Sequence, residues 1–331
     1  MLAILCPGQG SQTPGFLSPW LDLPGADERL AALAAASGVD LRTHGTLSDA
    51  DTIRDTAVAQ PLIVSASLLA LGAVLDGRAA REVVDVTAGH SVGEFSAAAV
   101  AGVLDDVEAV SLVSARASFM ADAAAETPTG MSAVVGGDPA EVLAAIAAAG
   151  LVPANVNGAG QVVAAGSLDG LALLAATPPD RARVIPLQVA GAFHTSYMRS
   201  AAERLGPVAA RVAPHDPDLT LLSNADGRAY ADLDADAGHG VGTRVLERLV
   251  AQVVAPVRWD LCQQTLLALG VTGAVELAPA GVLVGLARRT LPGVETVAVK
   301  TPADLDAARD LVRRHSGVTT GGRPSTQETP S

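Results

Sequence analysis

Aromatic side chains make up 2% of the 331 residues, and lysine occurs once, at Lys300. A core must then be built mainly from Leu, Val, Ile and Ala, and base-stacking platforms for nucleic acid are scarce. A formal net charge of −13 removes any general attraction to phosphate backbones. The two cysteines, Cys6 and Cys262, form no CxxC pair, so neither a disulfide framework nor a structural zinc site is expected. Six histidines, His44, His90, His194, His215, His239 and His315, are scattered along the chain, which leaves a metal site without support. The N-terminal MLAILCPGQG has no basic segment and is interrupted at Pro7 and Gly8, so it is read as a buried strand. No run reaches the roughly 18 to 20 apolar residues that a spanning helix needs. A soluble, cytoplasmic monomer without nucleic-acid or membrane partners is expected.

What is present is apolar aliphatic material, 49% of the chain counted with its few rings, which suffices for a sizeable core. Short β-branched runs alternate with longer segments of helical spacing through Leu2–Cys6, Leu62–Leu75, Val84–Ala88 and Val92–Ala101, which predicts an α/β fold around parallel strands. A helix over 105–124 follows, with Val107, Val110, Val113, Ala117 and Met120 as one apolar stripe. Shorter elements come next: a strand at 131–135, a helix at 138–149, strands at 152–157 and 161–166, a helix at 168–176 and a strand at 183–187. That order, βαββαβ, is the ferredoxin-like pattern. The α/β pattern then resumes and ends in a helix opened by Thr301 and Pro302. The predicted division is a large domain over 1–128 and 191–315, a small inserted domain over 129–190, and a Gly-, Thr-, Ser- and Pro-rich tail over 316–331 that cannot bury enough surface to order itself.

The strongest chemical signal is Gly89-His90-Ser91-Val92-Gly93. It follows a predicted strand and opens a predicted helix, a setting in which a sharp turn lifts the serine hydroxyl above the sheet. A serine hydroxyl needs a base to become a nucleophile. His90 is adjacent in sequence and is expected to point elsewhere, while the remaining histidines, apart from His194, lie in polar or terminal surroundings. His194, between a predicted strand and a helix, stands where active-site residues of α/β proteins collect, though position alone sets it only slightly ahead of a surface residue. Pro7-Gly8-Gln9-Gly10-Ser11-Gln12 closes the first strand without the lysine of a phosphate-binding loop, and its better use is a backbone N–H aimed at an oxyanion.

Taken together, PGQGSQ at 7–12, GHSVGE at 89–94, Arg116, GAFH at 191–194, SNADG at 223–227 and PVRW at 256–259 resemble, in order, the malonyl-CoA:acyl carrier protein transacylase family, also found as acyltransferase domains of polyketide synthases. The resemblance spans roughly residues 1 to 300 and implies an α/β-hydrolase-like large domain with a ferredoxin-like insert. It further implies Ser91 as nucleophile, His194 as general base and acid, the backbone amides of Gln9 and Val92 as oxyanion hole, and Gln252 as the residue whose carbonyl orients the histidine. Arg116 would hold the malonyl carboxylate by a bidentate pair. Phe193 resembles the malonyl-selecting form of its motif, in which the ring excludes a further methyl. Asn157 either lines the cleft from the small domain or serves its own turn. Malonyl-CoA would be substrate and an acyl carrier protein the partner, in fatty acid or polyketide synthesis, with no cofactor. One departure is visible: the family's GPGK segment is Ala278-Pro279-Ala280-Gly281 here. Arg288 and Arg289 are candidate members of a basic docking patch, or ordinary complements of a helix C-terminus. Two rivals share the elbow: a hydrolase with Asp169 as acidic third member, and a carrier-binding module without catalysis.

Overall fold

The computed structural model describes residues 1–233 and 240–316. In chain order its strands are β1 (Leu2–Cys6), β2 (Val86–Gly89), β3 (Thr129–Gly136), β4 (Val152–Gly158), β5 (Gln161–Ser167), β6 (Ala182–Pro186), β7 (Thr220–Leu221), β8 (Val257–Arg258), β9 (Gly273–Glu276) and β10 (Glu295–Ala298). The helices are α1 (Ala26–Ser37), α2 (Leu41–Thr46), α3 (Thr56–Leu75), α4 (Ala80–Val83), α5 (Gly93–Val100), α6 (Asp106–Glu126), α7 (Pro139–Ala148), α8 (Leu168–Ala176), α9 (Arg199–Ala209), α10 (Val241–Ala251), α11 (Trp259–Ala268), α12 (Val282–Thr290) and α13 (Leu305–His315). The expected tail over 316–331 lies, apart from Ser316, outside the described residues, as does His239.

The larger body is a parallel sheet in the order β10-β9-β1-β2-β7. Its middle strand shows why both faces must be covered. Leu2, Ile4 and Cys6 pack into the core shared with α3, α5 and α6, while Ala3 and Leu5 pack on the opposite side against α11 and α12. Residues of opposite parity are thus equally apolar, the pattern of a parallel strand buried on two sides.

Helix α3 corrects one expectation. Its 20 residues are long and apolar enough to cross a membrane by length and composition, and 83% of its most apolar window is buried inside the fold. A helix apolar all round is a core element when other helices enclose it. Asp55 starts it by accepting the Ala57 N–H at 2.8 Å. Helix α6 opens with a reciprocal cap, Asp105 accepting from Glu108 N at 2.7 Å and Glu108 from Asp105 N at 3.0 Å. Of its expected stripe, Val110, Val113, Ala117 and Met120 are buried, but Val107 is 48% exposed, so the stripe begins one turn later than the spacing implied. Arg116, beside the stripe, is 1% exposed.

The second sheet has the order β6-β3-β5-β4-β8. β3 is antiparallel to β5 and β6, and β4 to β5. Helices α7 and α8 cover it through Val142, Ile146, Leu171 and Leu174, which meet Val134 and Ala164. β8 belongs by sequence to the resumed α/β run, yet it pairs in parallel with β4 through Asn155–Val257 and Val156–Arg258. It leads directly into α11, so the small sheet is hydrogen-bonded to the segment that packs on the large one.

Ile4→Ala, in the middle strand, is expected to lower the unfolding free energy by about 2–5 kcal/mol, read from equilibrium urea denaturation.

Candidate active site

β2 ends at Gly89 and α5 begins at Gly93, with Ser91 between them in the left-handed region at φ 54°. Two close backbone approaches make this turn possible. A Cβ on Gly89 would stand 2.0 Å from the Gly93 carbonyl carbon, and one on Gly93 would stand 2.2 Å from the Cys6 carbonyl oxygen. No side chain fits at either position, so the glycines follow from crowding in the elbow. Asn224, just after β7, fastens the turn: its Oδ1 accepts the Ser91 N–H at 2.8 Å and its Nδ2 donates to the Gly89 carbonyl at 2.7 Å.

His194, also left-handed at φ 60°, brings Nε2 to 2.7 Å from Ser91 Oγ. Its Nδ1 lies 2.9 Å from the Gln252 carbonyl oxygen. A carbonyl can only accept, so Nδ1 carries the proton and Nε2 is free to accept from the serine. Burial, followed by the neighbouring Arg116 guanidinium, lowers the imidazole pKa to about 3, so the ring is neutral at pH 7. Asp169, the acidic member a hydrolase would need, is exposed at the start of α8, and the nitrogen it would have to engage is already bonded to Gln252.

Arg116 reaches the same space from α6. Nη1 donates to Gln60 Oε1 at 2.5 Å and Nη2 to Gln252 Oε1 at 2.8 Å, while Nε is buried without a partner among the described residues. Both direct partners are neutral amides. Burial lowers its pKa to about 10, which leaves the guanidinium charged at neutral pH. The sequence signal for Gln60 was available: one amide in the apolar run TAVAQPLIVS must find a partner if that run is buried.

A cleft of about 240 Å³ joins these groups; Gln9, Ser91, Val92, Arg116, Asn157, Phe193 and His194 all line it. Gln252 stands behind His194. The Asn157 carboxamide is engaged at both ends, with Oδ1 2.8 Å from His90 Nε2 and Nδ2 donating to Gln161 Oε1 at 2.9 Å. His90 therefore does not point away, as adjacency suggested, but lines the cleft and bonds across to the small sheet. The chain after β1 is tied down by Gln9 and Gln12, whose Nε2 groups each donate at 3.1 Å to the carbonyls of Arg54 and Ile53. Arg288 and Arg289 are exposed in the last turn of α12 and are not among the residues that line the cleft. Glu94 and Asn224 lie inside motifs read from the sequence, but their tertiary contacts were not legible there. Among the described residues no three His, Cys, Asp or Glu side chains could together hold a metal ion.

Residues 4–308 match the family model described as the acyl transferase domain. The chain belongs to that family. This acyl transferase is 50% identical over 316 residues to the malonyl CoA-acyl carrier protein transacylase of Mycobacterium bovis, across 94% of this chain and 100% of the relative. It is 33% identical to the protein of the same name from Escherichia coli K12, across 93% and 99%. In three dimensions it resembles the crystal structure of MCAT from Mycobacterium tuberculosis, with a TM-score of 0.85 over 93% of this chain and 99% of that one, at 50% identity. It also resembles a malonyl-transacylase solved in complex with a type II PKS acyl-carrier protein, with a TM-score of 0.82 at 27% identity over 93% and 99%.

The depressed histidine pKa has a consequence for the acyl transferase in acid. In the unfolded chain this imidazole takes a proton near 6.5, whereas the buried ring does not until about 3. Between those values the unfolded state binds more protons, so stability falls as pH falls. From pH 7 to pH 4, His194→Gln is expected to lose about 3 kcal/mol less unfolding free energy than the wild type, measured by denaturant titration at both pH values.

Proposed function

We propose that this acyl transferase moves a malonyl group from malonyl-CoA to the phosphopantetheine thiol of an acyl carrier protein, through a malonyl ester on Ser91. The observation that carries the reading is the buried guanidinium of Arg116, bonded to neutral amides, in the same small cleft as a serine–histidine pair 2.7 Å apart. A cation held this way favours an acyl group ending in a carboxylate, and its planar fork suits two parallel N–H···O bonds. Relatives named for malonyl transfer over nearly the whole chain support the same substrate.

The Ser91 hydroxyl attacks the thioester carbonyl while His194 Nε2 takes its proton. The C–S bond then breaks, and the coenzyme A sulfur leaves with that proton. A carrier thiol next loses its proton to His194 and attacks the ester carbonyl, and Ser91 recovers the proton as its C–O bond breaks. Both steps pass through an oxyanion, assigned here to the backbone amides of Gln9 and Val92. In support, neither amide donates to a backbone acceptor among the described residues, and the Gln9 loop is anchored. Phe193 closes the acyl end of the cleft against a branched substrate, and Asn157 forms wall on the small-sheet side. The Gln252 carbonyl keeps the imidazole in the tautomer that accepts from serine.

No resident cofactor or metal enters this scheme. A monomer is taken as the working unit. The two cysteines are free and buried, which supports a reducing, cytoplasmic setting. The carrier belongs to fatty acid or polyketide synthesis.

Incubation with labelled malonyl-CoA is expected to leave one label on Ser91, mapped by peptide mass spectrometry, and none on Ser91→Ala. A wild-type protein that turns over without such an adduct would refute the scheme. Arg116→Ala is expected to slow malonyl loading roughly 10- to 100-fold while leaving acetyl loading within a few-fold, since it deletes charge-assisted bonds that only the dicarboxylic acyl group makes. Phe193→Ala is expected to improve methylmalonyl relative to malonyl loading by about 10-fold or more, the worth of one methyl in a closed pocket.

A further inference from the structure

Glu94 follows the elbow glycine, is 4% exposed, and is absent from the lining of the cleft. Its Oε1 accepts the Asn224 backbone N–H at 2.8 Å, and its Oε2 accepts a hydrogen bond from Gln252 Nε2. Those two residues bond in turn to the elbow, the His194 ring and Arg116. Asn224 grips the elbow at Ser91 N and Gly89 O. Gln252 donates to the Ser91 carbonyl at 2.9 Å, accepts from Arg116 Nη2 at 2.8 Å, and through its own carbonyl takes the His194 ring at 2.9 Å.

The donor–acceptor logic of this arrangement calls for a carboxylate. Two N–H donors converge on position 94, and a carboxylate offers only acceptors. A glutamine there would satisfy one donor and set N–H against N–H at the other. Taking a carboxylate out of water is costly, and burial raises this one to about 7 while its two donors and the Arg116 and Arg248 charges act the other way. An acid kept at such cost, out of contact with the cleft, has its use in what it aligns.

We propose that Glu94 is a positioning residue of the acyl-transfer site, keeping the Ser91 elbow, the His194 ring and the Arg116 guanidinium in one register through Asn224 and Gln252. The inference rests on the roles given above to Ser91, His194 and Arg116. It adds a group that touches neither the acyl chain nor the thioester.

The test is Glu94→Gln, which keeps size and removes one acceptor. Two rates are measured, each normalised to folded protein: malonyl transfer to a carrier protein, and covalent labelling of Ser91 by a sulfonyl fluoride, a probe with no carboxylate for Arg116 to hold. Both are expected to fall about 100-fold, as displacement of a reacting pair by an ångström can cause. In a Gln252→Met background, which keeps the carbonyl at 252 but deletes the amide, the same change is expected to cost no more than about tenfold further. Should Glu94→Gln not accumulate as folded protein, Glu94→Asp, charged but one methylene short of spanning both donors, is measured in its place with the same expectation. Rates within about threefold of wild type in the folded variant, or a full additive loss in the Gln252→Met background, overturn the proposal. A wild-type protein that forms no malonyl adduct on Ser91 would instead end the reading of the site itself, so the two failures are distinguishable.

Discussion

A guanidinium cannot be taken out of water without partners, and the way Arg116 is satisfied sets the character of the whole cleft. A carboxylate bonded to it directly would cancel its charge and fill its fork. Gln60, from the core helix α3, and Gln252, at the end of α10, accept from Nη1 and Nη2 while leaving the charge in place. The resulting positive field acts on what lies nearby. It adds to burial in holding His194 neutral, and it is the reason an anionic acyl end is proposed for the small cavity. An overall charge of −13 and a buried guanidinium in the cleft are therefore compatible, because fields in a narrow low-dielectric space depend on the nearest groups far more than on the total.

Positioning the serine depends on backbone crowding of another kind. The elbow forms because Gly93 lies directly against the carbonyl end of β1, with which β2 is in register from Ala3–Val86 to Cys6–Gly89. The carboxyl ends of two adjacent parallel strands thereby deliver the Gln9 loop and Ser91 to one place, as open α/β sheets commonly do. The small sheet closes the opposite side. It is held by β8, which pairs with β4 and runs on into α11 against the large sheet, and by the His90–Asn157 contact at the cleft itself.

These differences in physical origin explain how much of the site was legible in the sequence. The elbow was readable because its requirements are local: two glycines, a strand before and a helix after. His194 was weakly readable from its place between elements, and Arg116 from its place beside an apolar stripe, with the motif order supplying the rest. The βαββαβ run could be read because each short element carries its own cap or turn, such as Asp138 before α7 and Ser167 before α8. The partners that Glu94, Asn224 and the Gln60 and Gln252 side chains meet were not readable. Their bonds join residues 56 to 161 positions apart, and a polar residue next to an apolar run gives no hint of which distant donor it meets. Helix α3 and Val107 failed for a related reason: an apolar residue's sequence neighbours do not say whether a membrane, a core or solvent surrounds it.

The departure from GPGK at 278–281 can be understood in the same terms. This loop precedes α12, whose Val282, Leu283 and Leu286 form part of the cleft wall. Much of its path is fixed through backbone atoms. Glu276, at the end of β9 and fully buried, accepts the N–H groups of Gly281 at 2.8 Å, Leu283 at 3.0 Å and Val284 at 2.8 Å, and Ser67 Oγ of α3 donates to the Ala278 carbonyl at 2.7 Å. These contacts engage backbone atoms, which every residue but proline presents alike on the donor side. Ala280 and Gly281 are both left-handed, and at Gly281 a Cβ would also meet the Lys300 side chain at 2.9 Å. The shape of this wall therefore rests on the glycine before the helix and the acid beneath it, neither of which needs the lysine of the GPGK form.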